Sequence, residues 1–482
     1  MRRRKALKNI GLGLSAGLTM PAWLSACKEE GPGPEIQYDG VIAIIGAGAA
    51  GLYAADYLQT KGLKVRIFEA SDRVGGRIRS ARIFDDLPIE PDFPVELGAD
   101  RIAGTDSLWA KIISELKIPV VDLTDNTTNN FILDNAFKSE NDAQADADFV
   151  SARNFLNNLA SNAGSSSVQQ AIQAAGLNTR TNAILNSWIG NKYGTSNDRL
   201  GVRPLAEGLT KLTRNNKERL LESNPMQDVL ASRFNKIIPK VEFNMVVKRI
   251  DYGGEKIRIE GERKLSGGGI ESFFEEVSKV IVAVPVSVLK GNDIVFNPAV
   301  PVAKNTALSR VGMDAAIRVL MDFKQNFWGT GSAYLYGGTQ APEYFNTGVL
   351  RSELNKTLSV TIYGPKAEEF SALGSGMIQQ ILSELDAIFD GKATQNIRKD
   401  DAGNMIVVIQ DWLKEPYIKG GISYVKSTGS IQDRAMIALP LNNVVFFAGE
   451  ATDSQGEAGT INGALLSAER ASQELIASLP AA

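Results

Sequence analysis

A glycine-rich turn between a strand pattern and a helix pattern constrains the fold of this chain more than any other feature. The apolar, β-branched run Val41–Ile45 leads into residues 46–51, which read Gly-Ala-Gly-Ala-Ala-Gly. A segment rich in Ala, Leu and Tyr follows, and a second strand pattern, Lys64–Phe68, ends at Glu69. A strand, a G-x-G-x-x-G turn, a helix and a second strand in this order are typical of a βαβ unit that binds a dinucleotide.

The residues of the turn have separate physical roles in such a unit. Gly46 allows the tight turn, Gly48 lets a pyrophosphate approach the backbone, and Gly51 lets the helix pack closely on the strand. The first helical residues, Ala49 and Ala50, present free N–H groups and the positive end of the helix dipole to the phosphates.

Glu69 lies 18 residues after the last glycine of the turn, where a carboxylate accepts hydrogen bonds from an adenosine ribose. The alternative for this segment is a glycine-rich turn that binds no nucleotide. The βαβ unit alone does not distinguish NAD from FAD, so that choice rests on the residues that follow.

Residues 69–77 carry a second signature. They read Glu-Ala-Ser-Asp-Arg-Val-Gly-Gly-Arg and resemble the E-x-x-x-R-x-G-G-R signature of the flavin-containing amine oxidase superfamily. The resemblance implies that Ala70, Gly75, Gly76 and Arg77 lie at FAD, with the two glycines and Arg77 at its pyrophosphate.

The C-terminal part of the chain resembles the same superfamily independently. Residues 444–450 (VVFFAGE) form a buried strand pattern that ends at an acid, and residues 459–464 (GTINGA) lead into a helix pattern. In the family, the acid meets the ribityl-pyrophosphate region of FAD and the helix N-terminus faces the isoalloxazine carbonyl. The resemblance therefore implies Gly449, Glu450, Thr460 and Ile461 as cofactor contacts.

The resemblance implies an α/β fold with two interleaved domains. A Rossmann-like FAD-binding domain is expected from the discontinuous segments 38–105, 201–290 and 431–478. An α+β substrate or cap domain is expected from 106–200 and 291–430. The flavin ring would end at the interface of the two domains, where we expect a pocket.

Three local patterns fit this arrangement. Residues 239–261 alternate like a hairpin turned at two adjacent glycines, and Val247 in this hairpin is an expected cofactor contact. Residues 279–285 (KVIVAVP) predict a buried strand of the FAD domain. Apolar residues at helical spacing, among them Phe149 and Leu159, predict a helical cap over 106–200.

Residues 95–102 (VELGADRI) resemble the family's E-x-G-A segment beside the flavin, which implies Gly98 and Ala99 as cofactor contacts. At the place of Arg101, most amine oxidases carry an aromatic or apolar residue, whereas L-amino-acid oxidases carry an arginine in the comparable segment. A guanidinium there binds a substrate carboxylate bidentately. The alternative is that Arg101 pairs with Asp100 or another local acid and touches no substrate.

The lysine that the family places near the flavin is missing. Counting back from Phe327 and Trp328 puts Arg318 at its position. An arginine can hold a water there, but it does not deprotonate, and this departure puts rapid reaction with oxygen in doubt. The alternative is that Arg318 is an ordinary charge on a strand.

The aromatic cage of the monoamine oxidases is also missing, because the matching places are Ser423 and Thr460, with Tyr424 one residue away. This lowers the expectation of a simple hydrophobic amine. Trp412 and Tyr424 either line the pocket or belong to the core.

Composition excludes several kinds of site. The 482 residues contain no histidine, so catalytic triads, histidine metal sites and a histidyl–flavin bond are excluded, and we expect no metal site. The net charge of −3 and the lack of a basic stripe give no support for nucleic-acid binding.

The single cysteine, Cys27, allows no intrachain disulfide. The covalent oxidases carry their cysteine after two glycines, and the residue at that place here, after Gly420-Gly421, is Ile422. FAD is therefore expected to bind non-covalently.

Residues 1–27 read as a bacterial export signal with a basic start, a short apolar middle and small residues at its end. Residues 3–8 (RRKALK) resemble a twin-arginine (Tat) motif, and residues 24–27 (LSAC) resemble a lipobox that would lipidate Cys27. The expected result is a protein anchored to a membrane by lipid, in the periplasm or at the cell surface, with residues 28–37 as a tether. The alternative is a non-lipidated signal cut near Ala26.

The resemblance implies an oxidoreductase most like an L-amino-acid oxidase, which gives a 2-oxo acid, ammonia and hydrogen peroxide. Its expected partners are a small-molecule amino acid or amine and oxygen or another electron acceptor. Two alternatives stay open. One is an amine or polyamine oxidase in which Asp100 or another acid receives the substrate ammonium. The other is a flavin-binding protein without turnover, or a dehydrogenase that uses a non-oxygen acceptor.

Overall fold

The computed structural model describes residues 36–81, 93–161, 164, 166–352 and 355–480. The predicted export signal, with Cys27, and most of the tether 28–37 lie outside the described residues. Within the described residues, no helix combines the length and the apolar character needed to cross a bilayer.

The strands are numbered in chain order. They are β1 (Val41–Ile45), β2 (Lys64–Phe68), β3 (Ser80–Ala81), β4 (Val95–Glu96), β5 (Ile102–Ala103), β6 (Val120–Asp122), β7 (Thr128–Leu133), β8 (Ala136–Ser139), β9 (Glu218–Leu221), β10 (Val241–Glu242), β11 (Met245–Asp251), β12 (Ile257–Lys264), β13 (Ile270–Val277), β14 (Lys279–Val282), β15 (Val295–Asn297), β16 (Val311–Met313), β17 (Ala316–Asp322), β18 (Ser332–Tyr336), β19 (Glu343–Asn346), β20 (Thr357–Tyr363), β21 (Val407–Asp411), β22 (Ser423–Val425) and β23 (Val445–Phe447).

The α-helices are numbered in the same way. They are α1 (Ala49–Thr60), α2 (Leu108–Glu115), α3 (Glu140–Gln144), α4 (Ala147–Asn157), α5 (Val168–Ala174), α6 (Asn182–Leu185), α7 (Val202–Lys211), α8 (Met226–Arg233), α9 (Val286–Lys290), α10 (Val302–Arg310), α11 (Pro365–Leu373), α12 (Met377–Ile388), α13 (Lys392–Asn396), α14 (Ile431–Ala438) and α15 (Ile461–Ala477). A π-helical turn, Asn186–Asn191, continues α6.

A parallel five-stranded sheet in the order β10-β2-β1-β14-β23 forms the nucleotide-binding half of the molecule. The alternation of β1 explains how the sheet is buried on both faces. Ile42 and Ile44 pack under α1 and α15 on one face, whereas Ala43 and Ile45 pack against the β11–β13 layer on the other. A strand buried on both faces reads as a continuous apolar run, as Val41–Ile45 does.

A second, seven-stranded sheet runs β21-β17-β20-β19-β18-β7-β8. Helices α11 and α12 cover it with a core that includes Phe370, Ile381 and Leu385. Helices α4 to α7 form a second layer around Phe149 and Trp188. All seven strands of this sheet lie within the segments predicted for the substrate domain, and all five of the parallel sheet lie within those predicted for the FAD domain.

Two local predictions are confirmed. Strands β11 and β12 form the antiparallel hairpin expected over 239–261, with Asp251 opposite Arg258 at the turn. Strand β14 lies in the segment 279–285 and pairs with β1 on one side and β23 on the other.

The segment 106–200 is not only a helical cap. It contributes three strands, β6 to β8. Strand β6 pairs with β9, β8 pairs with β7, and β7, the short run around Phe131, pairs with β18 from more than 200 residues later. Helix α2 packs against α15 and the core under the parallel sheet, with Trp109 and Ile112 buried there. Residues 108–115 therefore belong by packing to the nucleotide-binding half, since their amphipathic face finds its apolar partner there.

Candidate active site

A cavity of about 1060 Å³ lies where the two sheets meet. Its wall contains both predicted catalytic residues, Arg101 and Arg318, and all the predicted cofactor residues except Gly51. The lining cofactor residues are Gly46, Gly48, Ala49, Ala50, Glu69, Ala70, Gly75, Gly76, Arg77, Gly98, Ala99, Val247, Gly449, Glu450, Thr460 and Ile461. The structure thus gathers segments from both ends of the chain around one space.

Gly51 allows helix α1 to pack closely on strand β1. A Cβ on Gly51 would lie 1.8 Å from the carbonyl oxygen of Gly46, so only glycine lets α1 rest on the end of β1. Gly46 itself has φ +101°, a conformation that disfavours L side chains. Gly48 differs from both, because a Cβ there would meet no protein atom within 4 Å. Its missing side chain keeps space open in the cavity.

The N-terminus of α1 opens into this space. Gly48 is the N-cap, no side chain caps the helix, and the first helical hydrogen bond is from Leu52 N to Gly48 O, at 3.0 Å. The N–H groups of Ala49, Ala50 and Gly51, the first residues of the helix, have no acceptor within it and are thus free to bind an anion. At α15, the Thr460 side chain accepts from Gly463 N at 2.9 Å, and Ile461 begins the helix at the cavity wall.

Glu69 lines the cavity and also fixes the loops beside it. Its carboxylate accepts hydrogen bonds from Ala47 N at 2.7 Å and from Ser71 N at 2.9 Å. These bonds tie the end of β2 to the glycine turn. The expected bond to a ribose stays a prediction.

Glu450 forms a buried ion pair with Arg77. The Arg77 Nη1 lies 2.8 Å from the Glu450 Oε1 and 2.7 Å from the Gly421 carbonyl oxygen. The other carboxylate oxygen accepts from Ser423 Oγ at 2.6 Å and from Gly459 N at 2.8 Å. Burial alone would raise the pKa of Glu450, but Arg77 and Arg434 outweigh it, so the pKa is lowered. The carboxylate is therefore charged, and it joins the two predicted cofactor motifs.

Asp100 carries the second buried ion-pair system of the cavity. Its Oδ2 accepts from Arg318 Nη1 at 2.6 Å and also from Arg101 Nη1. Burial favours the neutral acid, but the two guanidinium groups outweigh it and lower the pKa of Asp100 to about 2. Asp100 is thus a poor proton acceptor, and its charge is already paired before any substrate binds.

Arg101 is held by carboxylates on several sides. Beyond Asp100, its Nη2 donates to Glu343 at 3.0 Å, and its Nε lies 3.5 Å from Glu218. Its guanidinium also stacks over the ring of Phe345, 4.0 Å from the ring centre. This geometry does not support the prediction that Arg101 binds a substrate carboxylate, because the added carboxylate would have to displace a protein one. It agrees with the alternative that Arg101 pairs with local acids.

Arg318 is a buried part of the cavity wall, with 5% of its surface exposed. It stands on β17 opposite Thr361 of β20, and Tyr363 of β20 also lines the cavity. This position disagrees with the alternative of an ordinary strand charge. Any role in the reaction stays a prediction.

The two aromatic candidates separate in the structure. Trp412 lines the cavity, and its Nε1 donates to Leu97 O at 3.0 Å. Tyr424 instead packs in the core, and its hydroxyl bonds to Asp314 at 3.0 Å. Tyr363 is an aromatic wall residue that the sequence did not reveal, because only the register of β20 against β17 places it there.

The family model "Flavin containing amine oxidoreductase" matches residues 49–197 and 228–476, most of the chain. The chain belongs to this family.

Curated relatives of this flavin-containing family member include lysine-specific histone demethylase 1 homolog 3 of Arabidopsis thaliana, which is 24% identical over 90% of the chain. Lysine-specific histone demethylase 2 of Homo sapiens is 23% identical over 92%. The chain spans 30% of the first relative and 54% of the second.

Solved structures show the same fold. A putrescine oxidase bound to putrescine superposes with a TM-score of 0.72, at 18% identity over 91% of this chain and 99% of that one. The cyclohexylamine oxidase of Brevibacterium oxydans IH-35A gives the same TM-score, identity and coverage. These likenesses show that this family member shares the fold of both oxidases.

The cavity residues fit the flavin that the family uses. Gly48 leaves open space at the uncapped N-terminus of α1, which suits a pyrophosphate. Gly75 and Gly76, both with positive φ, line the same region, and a Cβ on Gly76 would come within 3.7 Å of the Gly48 Cα. These backbone positions would hold the phosphates, and the N-terminus of α15 would face the far end of the flavin.

Proposed function

We propose that this protein is an FAD-dependent oxidoreductase that oxidises the C–N bond of a small-molecule amine, with an amino acid as the preferred class. FAD is bound non-covalently, which Ile422 at the place of the cysteine in covalent oxidases supports. The observation that carries the proposal is the single cavity in which both cofactor motifs meet a wall of Arg318, Tyr363 and Trp412. The products would be a 2-oxo acid and ammonia after hydrolysis of the imine.

The flavin, when bound, supplies the two-electron acceptor for the hydride that leaves the carbon next to nitrogen. The protein supplies position and electrostatics. Tyr363 and Trp412 provide flat walls, and buried Arg318 adds a permanent positive charge that can hold a water. Because Asp100 is paired with two arginines, it is not available to take the amine's proton, and we propose that the amine binds in its neutral form.

A second candidate is a dehydrogenase that passes electrons to an acceptor other than oxygen. The specific observation in its favour is Arg318, which stands where the family places a lysine and is tied to Asp100 by a 2.6 Å ion pair. This arrangement keeps the positive charge of Arg318 fixed, because an arginine does not release a proton where a lysine could.

The test is an anaerobic titration of the flavin-loaded protein with L-amino acids and then with primary amines. We expect amino acids to bleach the absorbance band of oxidised flavin, and readmitted air to restore it. Bleaching by amines alone would move the function to an amine or polyamine oxidase. Slow recovery in air would favour the dehydrogenase, and a flavin that no substrate bleaches would contradict amine oxidation.

We also propose export by the twin-arginine pathway and lipid anchoring through Cys27, which the N-terminal sequence supports. Cell fractionation of the full chain and of Cys27→Ser tests this. We expect the natural chain in the membrane fraction and the variant in the soluble fraction. Equal distribution of the two would contradict lipidation, and cytosolic retention of both would contradict export.

A further inference from the structure

We propose that Lys192 selects the substrate by binding a carboxylate carried by the amine at the mouth of the cavity. This inference rests on the proposed function. It assigns to Lys192 the role of binding the substrate carboxylate, which the sequence suggested for Arg101. The residue is exposed and also lines the cavity, so it lies where the cavity opens to solvent.

A π-helical turn fixes the backbone of Lys192 next to the part of the cavity wall that contains Thr361 and Tyr363. Lys192 directly follows the turn Asn186–Asn191. The Asn191 side chain donates to Thr361 O at 3.0 Å and accepts from Tyr363 N at 3.0 Å. Thr361 stands opposite Arg318 in the sheet, so Lys192 starts from the end of the cavity that holds Arg318.

The residues after Lys192 are fixed as well. Gly194 has φ +87°, and a Cβ on it would lie 2.3 Å from Ile422 Cγ1. Ile422 lines the cavity next to Gly421, whose carbonyl oxygen accepts from Arg77. Lys192 is thus held between two wall segments, one with Tyr363 and one with Ile422, and only its side chain is free to move.

Within the described residues, most of the other cations of this wall have an acidic partner, unlike Lys192. Arg77 is paired with Glu450, and both Arg101 and Arg318 are paired with Asp100. Farther out, Arg79 pairs with Glu415 and Lys419 with Asp293.

Lys192 has no hydrogen-bond or ion-pair partner among the residues that the structure describes. Two other lysines on the cavity wall, Lys248 and Lys264, lie on β11 and β12 near Val247, the expected cofactor end. A substrate that reaches the Arg318 end of the described wall therefore meets one cation whose charge is not already neutralised.

An unpaired ammonium at the mouth attracts an anionic substrate and repels a second ammonium. Because the site is partly open to water, the pair with a carboxylate is expected to change affinity about three- to tenfold. The effect is expected to weaken at high ionic strength, since exposed charges are screened. A diamine such as putrescine should be disfavoured by the same charge.

The experiment compares the flavin-loaded full chain with Lys192→Met and Lys192→Arg. The probes are L-norvaline, butylamine, which is norvaline without its carboxylate, and putrescine. Anaerobic flavin reduction gives the dissociation constant and the limiting rate for each. We expect Lys192→Met to weaken L-norvaline about three- to tenfold, to leave butylamine within about twofold and to improve putrescine. Lys192→Arg should keep the natural preference.

An unchanged ratio of L-norvaline to butylamine affinity in Lys192→Met would overturn the inference. A second measurement does not depend on turnover. Pentanoate, an acid without an amine, is titrated while the shift of the flavin spectrum is followed. Weaker pentanoate binding in Lys192→Met supports the inference even where no amine reduces the flavin, which would contradict only the proposed function. Equal or absent pentanoate binding in both proteins overturns it.

Discussion

Glu450 and Asp100 both bring a buried carboxylate to the cavity, but their surroundings differ. Glu450 is held by Arg77 together with donors that carry no charge, the Ser423 hydroxyl and the Gly459 amide. Asp100 accepts from two guanidinium groups, those of Arg101 and Arg318. Glu450 ties backbone segments together at the end of the cavity where the FAD phosphates are expected, which we call the cofactor end. Asp100 balances the charge of two arginines at the end that holds Arg318, which we call the reacting end.

The residues that hold the cofactor therefore differ in kind from the residues that surround the reacting substrate. At the cofactor end, space and backbone conformation dominate, and most of the decisive residues are glycines. At the reacting end, long charged side chains from several strands neutralise one another. A substitution at the first end should change flavin affinity, and one at the second should change stability and substrate handling.

The largest effect is expected at Gly51. In Gly51→Ala the new Cβ would lie 1.8 Å from the carbonyl oxygen of Gly46, so helix α1 must move away from β1. We expect the free energy of unfolding of the flavin-free protein to fall by about 3 kcal/mol or more, measured by urea unfolding. Flavin binding should be lost with it.

Gly48→Ala is the matched control for Gly51→Ala. Its Cβ would touch no protein atom and its φ of −74° suits alanine, so the flavin-free protein should keep its stability within about 0.5 kcal/mol. The Cβ would still fill space needed by the pyrophosphate, and we expect FAD affinity to fall by at least about tenfold. Equal FAD affinity in Gly48→Ala and the natural protein would contradict this placement of the phosphates.

The next effect compares the two carboxylates directly. Asp100→Asn leaves Arg101 and Arg318 facing each other without the shared anion, and should lower the free energy of unfolding by about 3 kcal/mol while FAD affinity stays within about twofold. Glu450→Gln keeps hydrogen bonds to Ser423 and Gly459, so its cost in stability should be about 2 kcal/mol, but its FAD affinity should fall. Urea unfolding and FAD titration of both variants measure the contrast.

The lowered pKa of Asp100 also predicts how the stability of the protein changes with pH. Because that pKa is lowered to about 2 from an ordinary 3.8, the stabilisation is present above about pH 4 and is lost as pH falls toward 2. Asp100→Asn should lack this acid-dependent loss. The same loss in the variant and the natural protein would place the effect on other carboxylates.

The last effect concerns Glu96, whose backbone oxygen accepts from Arg318 at 3.3 Å. Burial raises the pKa of Glu96 from 4.5 to about 7, against the hydrogen bonds from Met226 N and Ser80 Oγ. The folded state therefore holds a proton that the unfolded state has lost between these values, and stability falls as pH rises through this window, by about 1 kcal/mol per pH unit.

Glu96→Gln should flatten that slope. Urea unfolding of the flavin-free protein between about pH 5 and about pH 8 measures it, with Gln227→Ala, a neighbour that bonds to Ser80, as the control that keeps the slope. A slope that persists in Glu96→Gln would assign the pH dependence to another buried acid, such as Glu343, whose pKa burial also raises.

The cofactor end could be predicted from the sequence because its constraints are local. Val41–Ile45, Gly46 and Gly51 determine the βαβ unit within about 30 residues, a short range over which strand, turn and helix signals are specific. Glu450 could be predicted from a second motif. Both motifs are expected at one cofactor, which brings Arg77 and Glu450 to the same region, but only the structure shows their ion pair.

The reacting end could be predicted only in part. The sequence pointed to Arg101 and Arg318, but not to the acids that hold Arg101, since Glu218 and Glu343 come from β9 and β19. Their distance from Arg101 depends on strand pairing between segments more than 100 residues apart, which no local pattern encodes. Tyr363 and Lys192 were missed for the same reason, because sheet register and a π-helical turn place them.

The sheet order β10-β2-β1-β14-β23 has a consequence for synthesis of the chain. The first cofactor motif leaves the ribosome before the second, since β23 and Glu450 follow about 370 residues later, a delay of roughly 20 to 70 s at ordinary translation rates. During that interval Arg77 lacks its carboxylate partner and the parallel sheet lacks an edge strand. A nascent chain therefore cannot complete the flavin site until β23 and Glu450 have been synthesised, and capture of the cofactor by the complete site must follow that step.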